Sequence, residues 1–306
     1  MSSDEISDLS SVTLLDVKVD DEGAFQRAES DFREIPEFEA GRYHLYVSPA
    51  CPWSHRTIIV RRLCHLEDAV SLSWVKPFRD AGGWAFGDGP FADPVNGMSF
   101  LREAYEATSP GFGHHVSVPV LWDRQEHKIA NNESEDIVRF FPTWSDDAPD
   151  LYPEDLRSEI DQINDRVYNT VNNGTYKAGF ARSQRAYDVA FTRLFESLEW
   201  LDELLGTRRY LAGDRITEAD WRLFPTLVRF DPVYHTHFRC NGARVTDYPN
   251  LWAYARELYQ RPGIAATIEM AQIKEHYYTT HDELNPKRII PLGPINEDWT
   301  AAHGRG

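Results

Sequence analysis

Cys51 stands in Ser48-Pro49-Ala50-Cys51-Pro52-Trp53-Ser54-His55-Arg56, directly after the apolar run Tyr43-His44-Leu45-Tyr46-Val47. The pattern predicts a strand, a Cys-Pro step, and a helix through Thr57-Ile58-Ile59-Val60-Arg61-Arg62-Leu63. Pro52 suits the first helical position, where its missing N–H costs nothing. Cys51 would then sit at a helix N-terminus, where unpaired N–H groups and the helix dipole favour negative charge. The partner position of a Cys-x-x-Cys pair holds Ser54, so no resolving thiol lies in the turn. Such a sulfur can attack another sulfur and form a mixed disulfide. A second thiol, from a small molecule, must then release it.

The elements that must carry this residue form a mixed pattern from residue 39 to 143. The strand at 43–47 precedes the Cys51 helix, and a second strand at 70–75 follows it. A long Gly/Pro/aromatic loop spans 76–96; then come a strand at 116–122, a turn at 123–127, a strand at 128–130 and a helix from about Glu133. A β-α-β unit followed by a hairpin and a helix is a small α/β domain. The segment 142–153, rich in Pro and Asp, reads as a linker. Residues 150–284 read as an all-helical domain. Leu156, Ile160, Ile163, Val167 and Val171 recur at helical steps, as do Phe191, Leu194, Phe195, Leu198, Leu201 and Leu205. A third helix opens at Ile216, with Thr217 and Asp220 as a capping box and Ile216 and Trp221 as its staple; a fourth covers 249–258. Residues 1–38 form an extended arm, and 285–306 a Pro-rich tail across the surface.

The chain has 306 residues, 42% hydrophobic and 13% aromatic, which suffices for two packed domains. A net charge of −17 argues against nucleic acid or an anionic membrane as partner. No run approaches the roughly 20 apolar residues of a membrane span. The acidic, Ser-rich start lacks the basic and apolar regions of a signal peptide. Three cysteines make no disulfide framework. The expectation is a cytoplasmic protein.

Other reactive residue types read as structural. Cys64 and Cys240 fit small buried hydrophobes. Eleven histidines show no metal-ligand spacing, so no metal is expected. The Thr217/Asp220 pair is a helix cap. His55 and Arg56 either raise positive potential beside the thiol or serve surface or core packing. Glu133 and Ser134 open a helix that Asn132 would cap, with Glu135 in the third position.

Several separated blocks resemble the glutathione transferases, and among them the glutathionyl-hydroquinone reductases of the xi class. They are Tyr43 to Val47, Cys51-Pro52-Trp53 with His55-Arg56, Gly82-Gly83-Trp84 and Val118-Pro119-Val120-Leu121-Trp122-Asp123. Further blocks are Asn131-Asn132-Glu133-Ser134, Asn172-Asn173-Gly174 to Gly179-Phe180-Ala181, and Lys274-Glu275-His276-Tyr277-Tyr278 with His281. The resemblance runs from about Arg42 to Pro294. It implies an α/β thioredoxin-like N-terminal domain, an all-α C-terminal domain and a homodimer.

It also implies that Cys51 attacks the sulfur of a glutathionyl-hydroquinone, and that glutathione is the thiol co-substrate. Glu133 and Ser134 would hold the γ-glutamyl group, Val118 would pair with the peptide backbone, Pro119 would be cis, and Trp84 would pack over the cofactor. Tyr176 and Tyr277 would face the quinol. The chain departs from the family pattern at Ser54, where relatives carry Ala, and at His115, where they carry Arg. If that Arg anchors the glycine carboxylate, its replacement raises γ-glutamylcysteine as the thiol. Three other readings stay open: an omega-type thiol transferase acting on dehydroascorbate or protein mixed disulfides, a non-catalytic binding module, and ordinary conjugation of electrophiles.

Overall fold

Strand β1 (Tyr43–Val47) is buried at every position, as befits the middle of a sheet covered on both faces. It pairs parallel with β2 (Ser71–Trp74) and antiparallel with β3 (Val120–Asp123), which turns back into β4 (Lys128–Asn131). The order is β2-β1-β3-β4. Helix α1 (Pro52–Leu63) connects β1 to β2, α2 (Arg102–Thr108) precedes β3, and α3 (Ser134–Phe140) follows β4. This computed structural model describes residues 17–295 and 297–305.

The β-α-β unit and hairpin predicted from the sequence are present. Strand β3 begins at Val120 rather than at residue 116, because Pro119 has no N–H for the ladder. The Val118–Pro119 bond is cis, as the resemblance implied. Helix α2 escaped the sequence reading because it is short and buries only Ala104 and Tyr105. Asn132 does not cap α3. Glu133 does, accepting from the Glu135 N–H at 3.0 Å, while the Asn132 side chain serves Phe32 and Tyr105 instead.

The helical part comprises α4 (Arg157–Val167), α5 (Asn173–Gly179), α6 (Gln184–Leu205), α7 (Glu218–Arg229), the short α8 (His235–His237), α9 (Pro249–Tyr259) and α10 (Met270–Thr280). Helix α7 is buried along its whole length. The capping box at its start is present, with the Thr217 N–H donating to Asp220 at 2.8 Å. Such a cap contributes about 1 kcal/mol. Asp220 also accepts from Leu211 N–H and the Tyr254 hydroxyl, so one carboxylate ties three segments.

One face of the sheet, with Tyr46, Trp84, Tyr105 and Trp122, has its own apolar cluster. The other face merges through α1 with the core of the helical part, where Leu45, Ile59 and Leu121 join Val167, Leu194 and Leu223. The predicted linker is packed rather than loose. Trp144 and Leu151 are buried, and the Leu151 carbonyl accepts from Glu218 N–H at 2.8 Å. The tail crosses the helical surface, with Trp299 against Trp252 and Arg305 donating to Glu257 and the carbonyls of Arg208 and Arg209. Of the N-terminal arm, residues 1–16 lie outside the described residues.

Candidate active site

The turn from β1 into α1 ends at Cys51, which is the N-cap residue of α1, with Pro52 as its first helical residue. The Cys51 N–H donates to the Ser48 carbonyl at 3.1 Å, and Sγ lies 3.6 Å from the Val118 carbonyl. Ser54, in the place of a resolving cysteine, is fully buried and accepts from the Ser48 N–H at 3.4 Å. It braces the turn.

Arg229, the last residue of α7, reaches the same turn from the helical part. Its guanidinium donates to the carbonyls of Pro49 (2.7 Å), Ala50 (2.8 Å) and Pro225 (2.8 Å). It also lies 3.0 Å from His55 Nδ1, while His55 Nε2 lies 2.8 Å from the Thr267 hydroxyl. Burial, with Arg229 beside it, holds His55 neutral, well below the usual imidazole range. His55 and Arg56 are both buried, so of their two readings the structure supports packing.

Cys51, Trp84, Val118, Pro119, Glu133, Ser134, Tyr176 and Tyr277 all line one cleft of about 690 Å³ between the two domains. That volume is ordinary for a small-molecule site. Glu133 has one oxygen on the Glu135 N–H and the other 2.9 Å from the Ser30 hydroxyl of the arm. Trp84 is buried in the Gly-rich loop and stacks on His276 at 5.1 Å. The Tyr176 and Tyr277 hydroxyls lie 2.5 Å apart, and Tyr234 adds a third at 3.0 Å from Tyr277. Burial pushes Tyr176 up to about 12 and holds Tyr277 and Tyr234 well above the usual phenol range. All three are proton donors at neutral pH.

Two π-helical turns place Tyr176 and Tyr234 beside Tyr277. Tyr168–Asn172 leads into the helix bearing Tyr176, and Phe230–Tyr234 ends at the third phenol. An inserted residue rotates the following helix, which helical periodicity does not reveal. Sequence reasoning missed Tyr234 for that reason. It also missed Arg229, which reads as an ordinary basic residue in a last turn, and Arg27, which lines the cleft from an arm without periodicity. Cys64 and Cys240 are buried as expected; burial pushes the Cys64 thiol up to about 12 and raises Cys240 as well.

Histidines cluster beside the phenols. His237 Nε2 and His281 Nδ1 are 3.0 Å apart, and one must donate while the other accepts. His276 Nδ1 donates to the Pro77 carbonyl at 2.7 Å. Burial lowers His276 and His44 to about 4 and His237 to about 3. A histidine whose folded value is depressed supplies stability above its unfolded value of about 6.5, lost as pH falls through the folded value. Each costs about 3 kcal/mol by pH 4. Glu297, pushed up to about 7 by burial, opposes this with the reverse sign. The histidines outnumber it, so the melting temperature should fall steadily between pH 6.5 and 4. A flat profile in a thermal melt series would contradict the buried neutral assignment.

Residues 50–144 match the family model for the glutathione S-transferase N-terminal domain, and residues 181–257 that for its C-terminal domain. Glutathionyl-hydroquinone reductase YqjG of Escherichia coli is 47% identical over 304 residues, covering 92% of each chain. The glutathione-bound structure of YqjG superposes with a TM-score of 0.85 at 49% identity, over 88% of this chain and 89% of that one. A xi-class transferase from Natrialba magadii is 52% identical, with a TM-score of 0.85 over 87% of this chain and 84% of its own. Among the described residues no helix is long and apolar enough to cross a membrane. Likeness of this extent in both domains, around a Cys-Pro turn at the head of α1, shows that the chain belongs to the glutathione S-transferase family, beside its xi-class members.

Proposed function

We propose that the protein reduces glutathionyl-hydroquinones to hydroquinones, with glutathione as thiol co-substrate and Cys51 as nucleophile. One observation carries this reading: Cys51 is the sole thiol lining the cleft among the described residues, and it shares that cleft with two hydrogen-bonded phenols. The Cys51 thiolate attacks the glutathione sulfur, and the bond from sulfur to the ring carbon breaks. The carbon leaves with the electron pair and takes a proton from the Tyr176–Tyr277 pair, so the ring is reduced as the two sulfurs become a disulfide. A second glutathione thiolate attacks the glutathione sulfur of that disulfide. Oxidised glutathione departs, Cys51 returns as thiolate, and the second thiol's proton restores the phenol.

Glu133 and Ser134 bind the γ-glutamyl amine and carboxylate, where charge-assisted bonds are strong. The Val118 backbone pairs with the tripeptide, Pro119 shapes that edge, and Trp84 covers the cofactor. Cys64 and Cys240 are buried, which supports an external thiol as reductant. The reading includes a cytoplasmic location and a homodimer, which light scattering at twice the chain mass would verify.

The test is release of free hydroquinone from its glutathionyl conjugate, with glutathione and γ-glutamylcysteine supplied in turn. Release that depends on added thiol is expected. His115, where the family pattern puts Arg, lines the cleft, which keeps γ-glutamylcysteine as a second candidate thiol. A strong preference for glutathione removes that second reading. No release with either thiol removes the first, and reduction of dehydroascorbate instead would establish the omega-type reading.

A further inference from the structure

The arm is pinned on both sides of the cleft. Near residue 23 it holds the helical part, through the Arg182 N–H to the Gly23 carbonyl at 2.9 Å and the Ser183 hydroxyl to the Glu22 carbonyl at 2.6 Å. Near residues 32–34 it holds the sheet edge, through the Phe32 N–H to Asn132 at 3.0 Å and the Glu34 N–H to the Ala130 carbonyl at 3.0 Å. Arg27 lies between these anchors. Its guanidinium carbon stands 3.7 Å from the ring centre of Trp53 and 4.6 Å from that of Tyr176. Nε donates to Asn173 Oδ1 at 2.5 Å.

One edge of this planar cation is thus committed, and two aromatic rings set its plane. Nη2, however, is shielded from solvent and has no hydrogen-bond acceptor among the described residues. Buried donors without an acceptor are rare and costly, and they ask for a partner. Arg27 lines the same cleft as Cys51, Trp53 and Tyr176. Charge points the same way. The chain carries a net charge of −17, yet five cationic side chains line the cleft against three carboxylates. A cleft of sign opposite to its surroundings draws anionic ligands.

We propose that Arg27 selects the quinol, and that the site takes glutathionyl-hydroquinones whose ring bears an anionic oxygen substituent, a carboxylate above all. Nη2 of Arg27 donates to that substituent while the ring lies toward Tyr176 and Tyr277. A guanidinium held by its Nε edge and by stacking presents its other edge in the geometry a carboxylate accepts. This rests on the quinol reading above.

The test compares kcat/KM for thiol-dependent release from two conjugates, glutathionyl-hydroquinone and glutathionyl-2,5-dihydroxybenzoate, in the wild type, Arg27→Gln and Arg27→Lys. The wild type should favour the carboxylated conjugate about 30-fold, the scale of one hydrogen bond to a charged group. Arg27→Gln should lose that preference, bringing the ratio of the two conjugates to within about 3-fold of unity. Arg27→Lys should keep part of it, since a point charge replaces the fork. Arg27→Lys also decides the matter if Arg27→Gln fails to fold. Equal wild-type rates, or variants that slow both conjugates alike as a mere arm anchor would, overturn the proposal while the quinol reading stands. Release from neither conjugate overturns both.

Discussion

Cys51→Ser is expected to lower hydroquinone release by about 10⁴-fold or more while leaving the glutathione dissociation constant within about 3-fold. A hydroxyl at the head of α1 is a poor nucleophile toward sulfur and forms no disulfide, so both half-reactions stop. The groups proposed to hold glutathione, Glu133, Ser134 and the Val118 backbone, come from other elements and are untouched. The cap geometry survives too, because the Cys51 side chain makes no capping hydrogen bond. Binding followed by calorimetry, beside single-turnover release, separates the two quantities. Turnover of the variant within 100-fold of wild type would mean that the nucleophile lies elsewhere. Loss of glutathione binding would mean that Cys51 shapes the cleft rather than reacting in it.

Arg229→Met should be the most disruptive change outside the cleft. Arg229 is fully buried, and its guanidinium serves three carbonyls and His55 at the junction of the two domains. Methionine fills much of the volume but donates nothing. The carbonyls of Pro49 and Ala50, immediately before Cys51, would lose their Arg229 donors inside the protein. Leaving buried acceptors unpaired costs about 1–3 kcal/mol each before relaxation. A net loss of about 3 kcal/mol is therefore expected, lowering the apparent melting temperature by roughly 5 °C. The folded fraction should also turn over at least about 30-fold more slowly, since a small displacement of a nucleophile is expensive. Arg229→Lys should recover only part of both, because one ammonium cannot reach the spread of acceptors that the fork spans. A variant that melts within about 2 °C of wild type and keeps full activity would show that the turn holds itself.

The Cys51 turn and the two-part fold were legible in the sequence because both rest on local rules. A strand of five buried positions, a Pro at the first helical turn and a cysteine between them specify the Cys51 site within a dozen residues. The Thr217/Asp220 box works the same way, across three residues. The thioredoxin-like and helical parts follow from periods of two and about 3.6 in the apolar residues. Where a period was interrupted, the reading lost its grip. The short helix α2, the two π-helical turns and the start of β3 all depart from a regular repeat for local steric or hydrogen-bonding reasons.

The eight site residues expected from the resemblance come from β1–α1, the Gly-rich loop, the segment before β3, the head of α3, α5 and α10, and only folding brings them to one cleft. Residue type and spacing announce a cysteine at a helix N-terminus, because that terminus is built by its own neighbours. The distant groups that line the cleft or brace its turn are different. Arg27 is 24 positions before Cys51 and Arg229 is 178 after it, and neither carries a local signal. What they touch depends on how the arm and α7 pack against the sheet, and packing is set by burial summed over the whole chain rather than by any short run of it.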